Sequence, residues 1–152
     1  MLKLIIFRHG EYEFTGGSLI EDGISQVETT SKLLRELLAN NSVTVLCSKK
    51  PRARESADIV GRILGVEPSD HECLYPIGTR QHEVCEEAVA VLQLLDQQDA
   101  DIVILVTHKE YAEFLPGFFA RERLEFDFPN IKCRKGQAVI IDCNEKNLRL
   151  AP

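Results

Sequence analysis

Apolar residues along this chain come in two alternating patterns, short unbroken runs and longer stretches with helical spacing. Leu2–Phe7 is apolar but for Lys3, the pattern of a strand covered on both faces. A polar loop follows over 8–21, with Gly16-Gly17 as its turn signal. From Asp22 to Ala39 the positions Ile24, Val27, Leu34, Leu37 and Leu38 keep a helical period, and Asn40-Asn41 end it. Val43–Cys47 reads as a second strand. Pro51–Leu64 reads as a helix with proline in its first turn and Gly65 at its stop. Residues 66–81 are irregular, with a short strand expected near Cys73–Tyr75. Val84, Ala88, Val91 and Leu95 stripe a third helix, and Ile102–Val106 is the next strand. A helix is expected over 110–121 that buries Phe114, Leu115, Phe118 and Phe119, with Pro116 predicting a kink or a late start. Gln137–Cys143 and Leu148–Leu150 flank Asn144–Asn147 as a terminal hairpin. The alternation predicts an α/β fold: one doubly wound domain over residues 1–152, its central sheet mostly parallel with an antiparallel edge.

Composition changes this picture little. The 152 residues are 44% hydrophobic and 28% charged, enough for a packed core without staples. Net charge is −6 and no basic run exceeds Lys49-Lys50, which argues against nucleic acid or an anionic membrane as partner. No apolar stretch reaches the ~20 residues of a membrane helix, and the first strand lacks a signal-peptide cleavage site. The five cysteines (Cys47, Cys73, Cys85, Cys133, Cys143) form no C-x-x-C pair, and their number is odd. They read as reduced thiols of a cytoplasmic protein. His71 and Cys73 are the one closely spaced ligand pair, so a metal site is not expected.

Chemistry gathers where strands end. The first strand delivers Arg8-His9-Gly10, the second Ser48-Lys49-Lys50-Pro51-Arg52-Ala53-Arg54, and the fourth Thr107-His108. Parallel neighbours bring their carboxyl ends to one edge, where ligands of such sheets bind. Two arginines and two histidines around one cavity repel one another and are costly to desolvate, but they suit a phosphoryl group. Arginine forks two phosphate oxygens, and a neutral histidine can act as nucleophile. On a helix Arg52 and Arg54 point about 200° apart, so one of them faces the pocket, and the other is solvated or ion-paired.

The segment Arg8-His9-Gly10-Glu11 after an apolar strand resembles the signature of the histidine phosphatase superfamily, the phosphoglycerate mutase-like fold. Leu19–Gln26 is similar to that family's helix-opening segment, with Ile20 in place of its usual threonine. Ser48–Ala57 resembles its arginine-bearing block, and Val106-Thr107-His108 its second histidine motif. The space between Cys73 and Asp101 holds no large cap, in which respect the chain looks most like the small bacterial phosphohistidine phosphatase branch.

The resemblance implies catalytic roles. His9 becomes the nucleophile that carries the phosphoryl group, and Arg8, Arg52 and His108 bind its equatorial oxygens. The motif register favours Arg52 over Arg54. A cofactor is not implied, because two arginines and a histidine can neutralise the transition-state charge. Thr15 is a candidate to offer a hydroxyl to the phosphate. Many members of the family use a Glu or Asp as general acid; Glu83 is the candidate here, although Glu72, Glu86 and Glu87 compete.

The expected activity is that of a cofactor-independent phosphatase acting on phosphohistidine in a protein. This substrate needs little acid assistance, since protonated imidazole leaves readily. Glu11 and Glu13 beside the pocket are expected to repel a highly anionic small substrate. Two alternatives stay open: a phosphomonoesterase or mutase acting on a small phosphate ester, and a catalytically weak phosphate-binding regulatory module. The sequence leaves the oligomeric state open.

Overall fold

The computed structural model describes residues 1–151. Six strands form one sheet: β1 (Lys3–Arg8), β2 (Val43–Cys47), β3 (Ser69–Asp70), β4 (Ile102–Thr107), β5 (Ala138–Asp142) and β6 (Asn147–Leu150). Four α-helices connect them: α1 (Glu21–Leu37), α2 (Pro51–Leu64), α3 (Gln81–Asp96) and α4 (Lys109–Phe119). The spatial order is β3-β2-β4-β1-β5-β6. β4 pairs in parallel with β1 on one side and β2 on the other, while β5 and β6 make the antiparallel edge. The architecture is the mostly parallel α/β sheet expected from the alternating pattern.

β1, β2, β4 and β5 send alternate residues into two separate cores, as the period of two requires. Leu4, Ile6, Leu46, Val103, Leu105, Val139 and Ile141 pack under α3 and α4. Ile5, Phe7, Val45, Ile102, Ile104, Val106 and Ile140 pack under α1 and α2. β4 is buried along its whole length, which explains its unbroken run of apolar residues.

Three local expectations change. The short strand lies at Ser69–Asp70, not near Cys73–Tyr75; Glu72–Leu74 form a 3₁₀ turn instead, with Leu74 N–H donating to the His71 carbonyl. α4 starts at Lys109 and runs through Pro116 without a late start, then widens into a π turn over Ala120–Leu124. On α1, Ile24 and Leu37 face solvent, while Thr30 and Ser31 are buried. Their hydroxyls donate to the carbonyls of Gly136 and Val27, both at 2.6 Å, so two polar residues serve on a buried face without an unmet donor.

No helix among the described residues is long and apolar enough to cross a membrane. The five cysteines are free thiols, and burial pushes Cys47 up to about 12 and Cys133 up to about 11, so neither is a reactive thiolate.

Candidate active site

The register of the sheet sets Arg8 at the end of β1 opposite Thr107 at the end of β4. The next residue of each strand is a histidine, and the two rings stand edge to face with centroids 5.2 Å apart. Cys47 at the end of β2 lies opposite Val106, which brings Ser48 to the same edge. Ser48 N–H donates to the Val106 carbonyl at 3.1 Å, and His9 N–H donates to the Thr107 carbonyl at 3.0 Å. The parallel ladder therefore continues one residue past its end on both sides of β4. Arg52 enters from the first turn of α2, which Pro51 opens.

His9 is almost wholly buried. Its Nδ1 lies 2.9 Å from the Gly10 carbonyl. A carbonyl can only accept, so Nδ1 carries the proton and Nε2 holds the free lone pair. Burial, opposed by the Gly10 hydrogen bond and aided by the charges of Arg52, Arg8 and Lys135, lowers the pKa of His9 from 6.5 to about 4. The ring is neutral at pH 7, the form a nucleophile requires.

His108 Nε2 lies 2.8 Å from Ser48 Oγ. Ser48 Oγ also accepts the Lys50 N–H at 3.3 Å and keeps one hydrogen and one lone pair for His108 Nε2; where the hydroxyl donates, the imidazole proton sits on Nδ1. Burial, His9, Arg52, Lys50 and Arg8 together push His108 down to about 2.

Among the described residues, three buried side-chain nitrogens lack a hydrogen-bond partner: Arg8 Nε, Arg52 Nε and His108 Nδ1. All three belong to this one cluster; the two arginine nitrogens are donors in every state, and His108 Nδ1 is one in the tautomer that accepts from Ser48. Buried donors without partners are rare because each forfeits a hydrogen bond with water, worth ~1–3 kcal/mol. Their concentration around a neutral imidazole fits a tetrahedral oxyanion.

Surrounding contacts hold these groups in place. Arg8 Nη1 donates to the Cys133 carbonyl at 2.8 Å. The Arg52 guanidinium lies 4.7 Å from the centre of the Tyr12 ring, and Tyr12 meets His9 edge-on at 5.2 Å. Tyr75 packs edge-on against His108 at 4.9 Å and carries Lys50 over its face at 4.5 Å. Ser56 Oγ accepts the Gly10 N–H at 3.1 Å and donates to the Arg52 carbonyl at 2.6 Å, tying the loop after His9 to the turn that presents Arg52. Gly10 and Gly23 let this loop lie flush on the start of α1: a Cβ at Gly23 would run into the Glu11 carbonyl, and one at Gly10 into Gly23.

The structure thus brings Arg8, His9, Arg52 and His108 together. It turns Arg54 away, where it pairs with Asp58 and Asp70 at 2.9 Å each. Thr15 sits exposed in the loop between β1 and α1 and hydrogen-bonds to none of the four. Glu83 gives the general-acid expectation no support. It is bound to Arg80 at 2.6 Å and to the Thr79 N–H at 3.1 Å, and the Arg80 bond lowers its pKa. That makes it a deprotonated residue of the first turn of α3. Glu11 does not act as a free repulsive charge either: Lys135 lies 2.6 Å from it and holds its carboxyl below the ordinary value.

Ser48, Tyr12, Tyr75 and Lys135 escape the sequence reading as contributors. Ser48 sits inside the arginine-bearing block, and Tyr12 follows Arg-His-Gly-Glu, so both carried a positional signal. Tyr75 and Lys135 carried none.

Solved structures share this arrangement of strands and helices. A mycobacterial glucosyl-3-phosphoglycerate phosphatase aligns over 99% of this chain and 97% of its own, with a TM-score of 0.68 at 14% identity. A protein of Agrobacterium tumefaciens described as the phosphohistidine phosphatase SixA aligns over 99% and 95%, with a TM-score of 0.62 at 17% identity. The fold is the phosphoglycerate mutase-like one. An Escherichia coli protein described as an alpha-ribazole-5'-P phosphatase has the same fold, with a TM-score of 0.67 at 18% identity over 98% of this chain and 94% of its own. No protein-family model and no curated protein matches the sequence. The likeness to these proteins is therefore one of fold, and the chemistry rests on the residues at the sheet edge.

Proposed function

We infer that this protein is a phosphatase that passes a phosphoryl group through His9 to water. The observation that carries this reading is the trio of unpartnered buried nitrogens, Arg8 Nε, Arg52 Nε and His108 Nδ1, clustered with a neutral His9. In the first step His9 Nε2 attacks phosphorus. The N–P bond forms as the bond to the leaving group breaks, and the leaving group takes up a proton. In the second step water attacks phosphorus, the N–P bond breaks, and orthophosphate leaves with His9 restored to its neutral form. Arg8, Arg52 and His108 donate to the three equatorial oxygens and spread their charge.

Among the described residues, no carboxylate hydrogen-bonds either imidazole. A leaving group that departs without a strong acid suits such a pocket, and phosphohistidine is one: imidazole picks up its proton before the N–P bond breaks. We therefore take phosphohistidine on a protein as the substrate.

The test is a rapid-quench assay with a phosphohistidine-bearing protein and with an aryl phosphate, tracking acid-labile phosphate on this chain. A burst of label in the wild type, absent in His9→Ala, is the expected result. Arg8→Ala, Arg52→Ala and His108→Ala are expected to slow labelling by on the order of a hundredfold or more. Full turnover in His9→Ala would overturn the mechanism. Faster labelling from a small ester than from the protein would transfer the substrate assignment to the small ester.

A further inference from the structure

Beside the phosphoryl pocket runs a groove of about 340 Å³, lined by Arg8, Lys109, Glu113, Lys132, Cys133 and Arg134. Arg8 belongs to both, so the groove opens directly off the position of the transferred group. It holds four cations against one carboxylate on a chain whose net charge is −6. Lys109, Lys132 and Arg134 are exposed and, among the described residues, none is in a salt bridge or donates a side-chain hydrogen bond. Elsewhere on the surface, cations such as Lys3, Arg54, Arg80, Arg123 and Lys135 have found carboxylates.

The groove also has a firm floor. The Cys133 carbonyl between the two basic side chains accepts from Arg8 Nη1 at 2.8 Å, and the Cys133 thiol is bonded to the Gln137 carbonyl at 3.3 Å. Lys132 and Arg134 therefore stand on a segment tied to the phosphoryl pocket itself. Lys109 follows His108 directly at the start of α4. Positive charge left unmatched at a fixed distance from a phosphoryl site favours a substrate with a second negative group at that distance.

We propose that this groove is a specificity subsite for carboxylates flanking the phosphorylated residue of the substrate protein. The proposal rests on the phosphatase reading and deepens it: the phosphoryl group enters between Arg8 and Arg52, and acidic side chains next to it in the partner lie along Lys109, Lys132 and Arg134. The same cations would meet a carboxylate of a small phosphorylated acid. We assign the acidic flank of a protein because the subsite is an open groove with three separate exposed cations, more than one compact anion engages.

The test compares kcat/KM for two phosphohistidine peptides, one with aspartates on both sides of the phosphorylated residue and one with serines, in the wild type and in Lys132→Glu/Arg134→Glu. Both side chains are exposed, and the Cys133 carbonyl remains in place. The expected wild-type preference for the acidic peptide is about tenfold at low salt, fading as ionic strength rises. In the double variant the ratio is expected to fall to about one or below. Equal rates for the two peptides in the wild type would overturn the proposal. So would a preference that survives the double variant, or one seen for a small phosphorylated carboxylic acid over its neutral analogue but not for the peptides. An aryl phosphate run alongside reports labelling of His9 independently, so a failed subsite is distinguishable from a failed phosphatase.

Discussion

The hydrogen bond from His9 Nδ1 to the carbonyl of the next residue fixes the tautomer with no carboxylate involved. Serine hydrolases use an aspartate for this purpose, and an aspartate also raises the basicity of its histidine. A carbonyl orients the ring with far less of that effect, and burial then takes the pKa to about 4. The expected outcome of an NMR titration is a His9 midpoint near pH 4, with His108 lower still, assigned by the loss of one resonance in His9→Gln. A midpoint near 6.5 would mean the ring is not held in a desolvated pocket.

The same shifts bear on stability. Between pH 6.5 and about 4 the unfolded chain binds protons at these histidines that the folded chain does not. Their contribution is thus complete above the unfolded value and is lost as pH falls toward the folded one. His9 alone accounts for on the order of 3 kcal/mol across that window, at ~1.4 kcal/mol per unit. Denaturant midpoints measured at pH 7 and 5 are expected to fall accordingly, and the fall is expected to shrink in His9→Gln.

At the level of elements, the site is three strand ends clamped to two helix starts. Gly10 packs on Gly23 at the beginning of α1, and Ser56 in α2 bridges Gly10 and Arg52. Ser56→Ala leaves the buried Gly10 N–H without its partner and is expected to cost ~1–3 kcal/mol. Its kcat for the aryl phosphate is expected to fall as well, because the His9 loop is no longer tied to Arg52. Gly23→Ala is expected to do both more severely, since its Cβ collides with backbone and not with a mobile side chain.

These elements also show what a linear reading reaches. Arg8, His9, Arg52 and His108 were legible because each lies at a strand end or in the first turn after one, where position along the chain already sets position in space. The Pro51 start and Gly65 stop of α2 were legible for the same local reason. Lys135 and the Cys133 carbonyl were not: their partners Glu11 and Arg8 lie 124 and 125 residues away. Nor was the solvent-facing turn of Ile24 and Leu37, because two hydroxyls satisfied by backbone carbonyls take the buried positions instead. Apolarity alone gives no warning of such an exchange.

Across the whole molecule, the cations of the site repel one another in a desolvated pocket, and an anion relieves that cost. Orthophosphate is therefore expected to stabilise the folded chain by mass action, raising Tm with the logarithm of its concentration. The increase is expected to be greater at pH 5.5 than at pH 8, because a bound anion offsets the desolvation that keeps the histidines from taking up protons, and to be largely lost in Arg8→Ala/Arg52→Ala. Calorimetry at the two pH values checks both claims. A phosphate effect that survives in Arg8→Ala/Arg52→Ala would indicate binding elsewhere on the surface.

The strand order β3-β2-β4-β1-β5-β6 has a further consequence, for the order of assembly. β1 and β2 both lie early in the chain, yet they are not neighbours: each waits for β4, which follows β1 by more than half the sequence and β2 by more than a third. A nascent chain that stops short of residue 102 holds the nucleophile and the arginine block on strands with no shared partner and two open parallel edges. Such long-range pairing makes for slow folding and leaves edges exposed to association in the meantime. The central strand is thus the keystone: its arrival joins β1 to β2 and brings the two histidines together, and β5 and β6 then close the edge.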